Sequence, residues 1–183
     1  MGESSLVCIA CGSNNFRNQL HINSRSIKIC KNCSLGVTWP PPELPDYENM
    51  DFHSKEGEIN FDNLLSIDTL PLDWQKALNT QVEIAKFHFS KESNILEIGC
   101  GEGILLSLLK EQGFKKLTGI EPSTSAAKRA VKRDLHIINK MFDEINFEEK
   151  FDLIILSHVL EHIPDPLRFI QKLESLLTNK GGI

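Results

Sequence analysis

The stretch "NILEIGCGEGILLSLL", residues 94–109, sets three glycines within five positions between a short apolar run and a second run of helical spacing. A strand-length apolar segment, a glycine turn and a helix make the first half of a βαβ unit. Gly99, Gly101 and Gly103 strip the turn of side chains, so a ligand can lie against its backbone, and the helix beyond offers unpaired N–H groups.

Outward from that turn the pattern repeats. Before it, residues 72–89 place Trp74, Ala77, Leu78, Ile84, Ala85, His88 and Phe89 at helical spacing, with Asp73 as the expected N-cap. After it come a strand "KLTGIE", a helix "SAAKRAVKRD", a strand "LHIIN", a polar turn, a strand "FDLIILS" and a helix "PLRFIQKLESLL" with Leu167, Ile170, Leu173 and Leu177 on one face. Gly113 closes the helix of the opening stretch. Alternation of this kind predicts an α/β fold: a Rossmann-like parallel sheet of about four strands with helices on both faces. The expected domain runs over residues 71–183 and stops at "TNKGGI", where a further strand would begin. That ending predicts a C-terminally truncated sheet, with the edge of "FDLIILS" open as a surface for self-association.

In a doubly wound sheet the ligand lies beyond the carboxyl ends of the strands, where the first glycine turn sits. A dinucleotide fingerprint needs a third glycine at 104 or 106, and the chain has Ile104 and Leu106; a phosphate-binding Gly-Lys-Ser/Thr is also missing. Two carboxylates say what the ligand offers instead. Glu121 ends the second strand, where it can accept the two hydroxyls of a ribose, and Glu97 precedes the first glycine, where it can orient the turn or meet a cation. A ribose and a positive charge without a phosphate describe S-adenosylmethionine.

With those residues in place, "ILEIGCGEG", "LTGIEPS" and "FDLIILSHVLEHIPDP" together resemble the class I S-adenosylmethionine-dependent methyltransferases over residues 70 to 183. The resemblance implies Glu97, Gly99, Gly101 and Gly103 around the methionine and ribose, Glu121 on the ribose hydroxyls, and Pro122, Met141 and Phe142 along the adenine. Asp143 stands near the position where the family often meets the adenine amino group. Ser157 joins the cofactor-binding set, and His158 would face the sulfonium end as a positioning group or general base. The activity implied is methyl transfer to an unidentified acceptor, a small molecule or a sugar. Two other readings stand beside it: a non-catalytic cofactor-binding or assembly module, and an RNA or protein methyltransferase. "HVLEH" also matches H-x-x-E-H, a metallopeptidase pattern, but His158 directly follows a strand, and Pro164 and Pro166 cut short any helix.

Four of the five cysteines form "CIAC" (Cys8, Cys11) and "CKNC" (Cys30, Cys33), 18 residues apart. The spacing fits one four-thiolate zinc site, in which each tight turn aims two sulfurs at the ion. Gly12 suits the position just after the first pair, where the chain turns back, and Ser34 holds the corresponding place in the second. Four thiolates leave no open coordination position, so the expected zinc is structural. Disulfides are the competing reading, but the start of the chain shows no secretory signal, and the expected location is the cytoplasm. Residues 1–36 are thus a zinc-ribbon-like segment. Followed by the proline-rich lead-in of residues 37–70, whose Trp39 and Tyr47 could pack on either neighbour, it resembles the ribbon ahead of some of these enzymes, sugar C-methyltransferase-like proteins among them.

The net charge is −5, divided as +2 over residues 1–45 and −7 over the rest. Nucleic acid is not favoured as a partner, although Arg17, Arg25, Lys28 and Lys31 give the ribbon a modest basic surface. No apolar run approaches the length of a membrane span. Cys100 reads as a small filler of the glycine turn, and "KRAVKR", residues 128–133, as a solvated face.

Overall fold

The structure is a computed structural model that describes residues 6–22, 24–40 and 66–183. Pro41, Pro42, Pro45 and Tyr47 of the expected lead-in lie outside the described residues. The chain divides into two compact units: an N-terminal one, to which Ile163–Gln171 is also assigned, and a larger one with the rest.

The N-terminal unit carries an antiparallel sheet of β1 (Phe16–Ile22), β2 (Arg25–Cys30) and β3 (Gly36–Trp39), in that order. Residues 37–39, expected to open the extended lead-in, instead pair with β2, Val37 opposite Lys28 and Trp39 opposite Ser26. Proline excludes a strand only from Pro40 onward, and the β-branched Val37 and Thr38 before it suit a sheet.

The larger unit holds a parallel sheet of five strands. In chain order its elements are α1 (Leu72–His88), β4 (Asn94–Ile98), α2 (Ile104–Glu111), β5 (Lys116–Ile120), α3 (Thr124–Val131), β6 (His136–Ile138), β7 (Phe151–Leu156), the part of α4 (Pro166–Leu176) from Lys172 on, and β8 (Leu177–Gly182). The strand order is β6-β5-β4-β7-β8, so the chain reverses direction across the sheet at β4. That reversal opens a crevice at the carboxyl end of β4, where the glycine turn begins. Ile95, Leu105, Leu106 and Leu109 are fully buried in one cluster that fixes β4 and α2. Gly113, at φ 90, ends α2 by directing its N–H to the Lys110 carbonyl.

Three expectations are corrected here. The sheet has five strands, because β8 covers the edge of β7 that was expected to stay open. Leu177 accordingly leaves the helix and pairs with Phe151, and Gly182 pairs with Leu153, so five steps of β8 span two of β7 and Asn179 and Lys180 are exposed. A bulge with exposed polar residues hides a strand from any test for period-two alternation. Second, α1 starts at Leu72 with Pro71 as N-cap, and Asp73 falls within its first turn. Third, the inward face of α1 is Leu78, Val82, Ala85 and Phe89, while Trp74 and Ile84 are half exposed. No helix among the described residues is long and apolar enough to cross a membrane.

Candidate functional site

The turn after β4 is stitched to the tip of β5. The Gly99 and Cys100 amides donate to the Ile120 carbonyl at 2.8 and 3.0 Å, and the Gly101 amide donates to Glu121 Oε2 at 2.8 Å. Gly99, Gly101 and Gly103 all have positive φ, 70, 53 and 72°, a region that costs other residues about 1–2 kcal/mol. A methyl group at Gly99 would stand 2.6 Å from Val159 Cγ2, and one at Gly103 would stand 2.5 Å from Leu135 Cδ1. At Gly101 a methyl group would meet nothing within 4 Å, so this middle glycine borders open space. Cys100 is buried with Sγ against Gly119, where any side chain would collide with it at 2.6 Å. Burial, with the Glu97 and Glu121 carboxylates adding to it, pushes the Cys100 thiol up, which keeps it protonated and inert.

Two buried acids flank the turn. Glu121 is held by backbone, with Oε1 accepting from the Ser123 amide at 2.7 Å and Oε2 from Gly101. The Asn139 side chain donates to the Glu121 and Pro122 carbonyls at 2.8 and 3.0 Å, which fixes the loop after β5. Glu97 is 4% exposed, and its Oε2 is buried without a hydrogen-bond partner among the described residues. Burial, with the Glu121 charge added, raises its carboxyl to about 8. A buried carboxyl with an unused acceptor suits a ligand that brings N–H donors and a positive charge.

A third acid sits inside the glycine motif. Glu102 Oε1 accepts from Arg129 Nε at 2.6 Å, and Arg133 Nε donates to the Glu102 carbonyl at 2.7 Å. Glu102 and Arg129 are both buried, so the stretch 128–133 is no uniform solvated face: Arg129 turns inward and ties α3 to the turn. An arginine in a run of basic residues gives no sequence signal of this, because its partner lies 27 residues upstream.

The remaining expected residues scatter in character. Ser157, just past β7, accepts from the Gln81 side chain of α1 at 3.1 Å, a contact the sequence did not suggest. Met141 is partly exposed, whereas Phe142 is buried and faces Phe147. Asp143 pairs with Lys172 at 3.3 Å, and the same ammonium lies over the Phe142 ring. His158, two residues past β7, takes a left-handed φ of 55, and His162 lies in a 3-10 turn, so the two histidines do not share a helical face as a zinc-peptidase motif requires.

In the N-terminal unit the two cysteine turns are built alike. Gly12 and Ser34 both adopt positive φ, 72 and 65°, and their amides donate to the Cys8 and Cys30 carbonyls at 2.8 and 2.9 Å. The four sulfurs lie within 4.8 Å of one another, with Cys8 to Cys33 at 3.5 Å and Cys11 to Cys30 at 3.6 Å. A tetrahedron with metal–sulfur bonds of about 2.3 Å has edges of about 3.8 Å, so the cluster can hold a zinc ion with little adjustment.

Among known proteins, the ubiquinone biosynthesis O-methyltransferase of Pasteurella multocida is 35% identical over 106 residues, which is 49% of this chain and 43% of that protein. The Coxiella burnetii protein of the same name is 32% identical over 100 residues, 51% and 42% respectively. The chain thus spans less than half the length of the curated relatives it matches. Of solved structures, the plantazolicin methyltransferase BpumL, in complex with a triazolic analog and SAH, superposes with a TM-score of 0.53 at 23% identity, covering 61% of this chain and 45% of that one. Magnesium protoporphyrin IX methyltransferase from Synechocystis, with bound SAM, gives 0.53 at 19% identity over 67% and 61%. At such identities these two establish the fold alone. The family model of the methyltransferase domain matches residues 70–183, the whole of the β4-to-β8 sheet with the helix before it, and the chain belongs to that family.

Proposed function

We propose that this chain holds S-adenosylmethionine at the β4 turn and belongs to an enzyme that methylates a hydroxyl group of a small molecule. The observation that carries the reading is the pair of acids at the turn. Glu97 presents a buried, unpartnered carboxyl oxygen where a cation can come, and Glu121 stands fixed by two backbone amides at the tip of the neighbouring strand. At the tip of the strand next to the turn, Glu121 is the acid placed to receive the two hydroxyls of a ribose. Gly99, Gly101 and Gly103 let the ligand lie on the backbone between them, with Pro122 and Met141 beside the adenine and Ser157 at the methionine end. Phe142 would support that wall from behind. When bound, the cofactor supplies an activated methyl group and its leaving group; the protein's part is binding, orientation and exclusion of water. The hydroxyl acceptor is suggested by the O-methyltransferases that share a third of their aligned residues with this chain.

Cys8, Cys11, Cys30 and Cys33 would hold a structural zinc ion, whose binding stabilises a hairpin too small to bury a core of its own. The mainly acidic larger unit leaves a small-molecule acceptor as the better partner than nucleic acid, and the cytoplasm, where such thiols stay reduced, as the expected compartment.

Titration calorimetry with S-adenosylhomocysteine tests the cofactor reading. Saturable binding that weakens at least tenfold in Glu121→Ala is expected; no binding by the folded chain would overturn it.

A further inference from the structure

Next to the cofactor turn, three side chains outside it form a second constellation. His158 follows β7, Glu161 lies three residues on, and Trp74 reaches them from the first turn of α1. Glu161 Oε1 stands 3.3 Å from His158 Nδ1. The Trp74 indole lies near-parallel to the imidazole, with centroids 6.0 Å apart and planes inclined by 21°. All three are exposed enough to meet a ligand: the Trp74 residue is 52% exposed, and the His158 and Glu161 side chains 80% and 52%. His158 also keeps a left-handed backbone, a conformation held at a cost and common where a side chain must be aimed.

We infer that Trp74, His158 and Glu161 form the acceptor side of the site, with an aromatic hydroxyl compound as their ligand. This rests on the reading of the β4 turn as a methyl-donor site. A carboxylate on Nδ1 keeps that nitrogen protonated and leaves Nε2 as a proton acceptor, which a hydroxyl acceptor needs and a carbon nucleophile without an acidic proton does not. The indole face beside it favours a flat ring over a sugar. As the acceptor oxygen bonds to the methyl carbon, the carbon–sulfur bond of the sulfonium donor breaks with its electron pair left on sulfur. The hydroxyl proton passes to His158 Nε2, and Glu161 stabilises the imidazolium that forms. His158 is then the catalytic base, Glu161 its positioning residue and Trp74 the platform that selects an aromatic acceptor.

Two measurements on the full chain test this without turnover. Long-range imidazole nitrogen NMR at mildly alkaline pH, assigned with His158→Gln, should show His158 mainly as the Nδ1–H tautomer. Glu161→Ala should return it to the Nε2–H form that free imidazole prefers. Calorimetry with catechol should show saturable binding that weakens about three- to tenfold in Trp74→Ala and is restored in Trp74→Phe. An Nε2–H tautomer in the unmodified chain, or catechol binding that is absent or indifferent to Trp74, overturns the assignment. Binding of S-adenosylhomocysteine, measured in parallel, separates the two readings, because its loss would sink the cofactor site while leaving the tautomer and catechol results intact.

Discussion

Replacing Glu97 by Gln should remove most of the pH dependence of stability that the larger unit has between about pH 4.5 and 8. In the folded chain burial, with the Glu121 charge added, lifts this carboxyl from 4.5 to about 8. Across that window the folded state keeps a proton that the unfolded state has released, so raising the pH favours unfolding. The stabilisation is fully present below about 4.5 and is lost as pH climbs to about 8, at about 1.4 kcal/mol per unit. Glutamine has nearly the same shape and does not titrate. Urea unfolding at about pH 5 and about pH 8 should therefore show the variant gaining about 4 kcal/mol relative to the parent between the two conditions, whatever its constant offset. Stability curves that run parallel, within about 1 kcal/mol over the same span, would refute the idea that a proton resides on Glu97 in the folded chain. A corollary concerns the ligand. A cation bound against Glu97 draws the carboxyl into its charged form, so binding should release a proton and tighten with pH up to about 8, which calorimetry in buffers of different ionisation heat detects.

Three further predictions follow from the same geometry. Arg129→Met removes the nearer of the two guanidinium groups on the buried Glu102 carboxylate and leaves it only Arg133 at 3.9 Å; a loss of about 2–4 kcal/mol by chemical denaturation is expected, and Arg129→Met with Glu102→Gln should recover much of it. Gly103→Ala must hold a left-handed residue against Leu135 and Ala130; a loss of about 2–4 kcal/mol, with weaker binding of S-adenosylhomocysteine, is expected, and full stability would show that the turn can shift. Elemental analysis should find one zinc per chain, and a chelator should abolish the near-ultraviolet signal of Trp39 in β3; a metal-free chain that keeps this signal would remove the zinc assignment.

The parallel sheet was legible because β4, β5 and β7 are short apolar runs separated by helices with one greasy face, and the glycines mark the turn between the first pair. Strand β8 was not, since only Leu177 and Gly182 register with β7 and the residues between them are polar. The face of α1 was misread for a related reason. Ile84 and Trp74 are as apolar as Val82, and only the position of the sheet decides that Val82 turns inward. Local chemistry was easier to read: both cysteine turns follow from their two-residue spacing, down to the left-handed residue after each pair, although Ser34 lacks glycine's freedom.

Contacts between distant residues mark where sequence reading stops, and they also explain why two acids at one turn can differ. Glu97 and Glu121 are both buried at the carboxyl ends of adjacent strands, and as residues they are alike. Glu121 sits beyond the end of its strand, where backbone amides from the glycine turn and from Ser123 are free to point at it. Glu97 lies within β4, where its neighbours' amides are already committed to the ladders with β5 and β7. The sheet therefore gives one acid a permanent set of donors and denies them to the other. A fixed, hydrogen-bonded carboxylate can orient hydroxyl groups, and an unsatisfied one gains most from a cation, so the different parts proposed for the two acids follow from one residue's lying inside the ladder and the other's lying just past it.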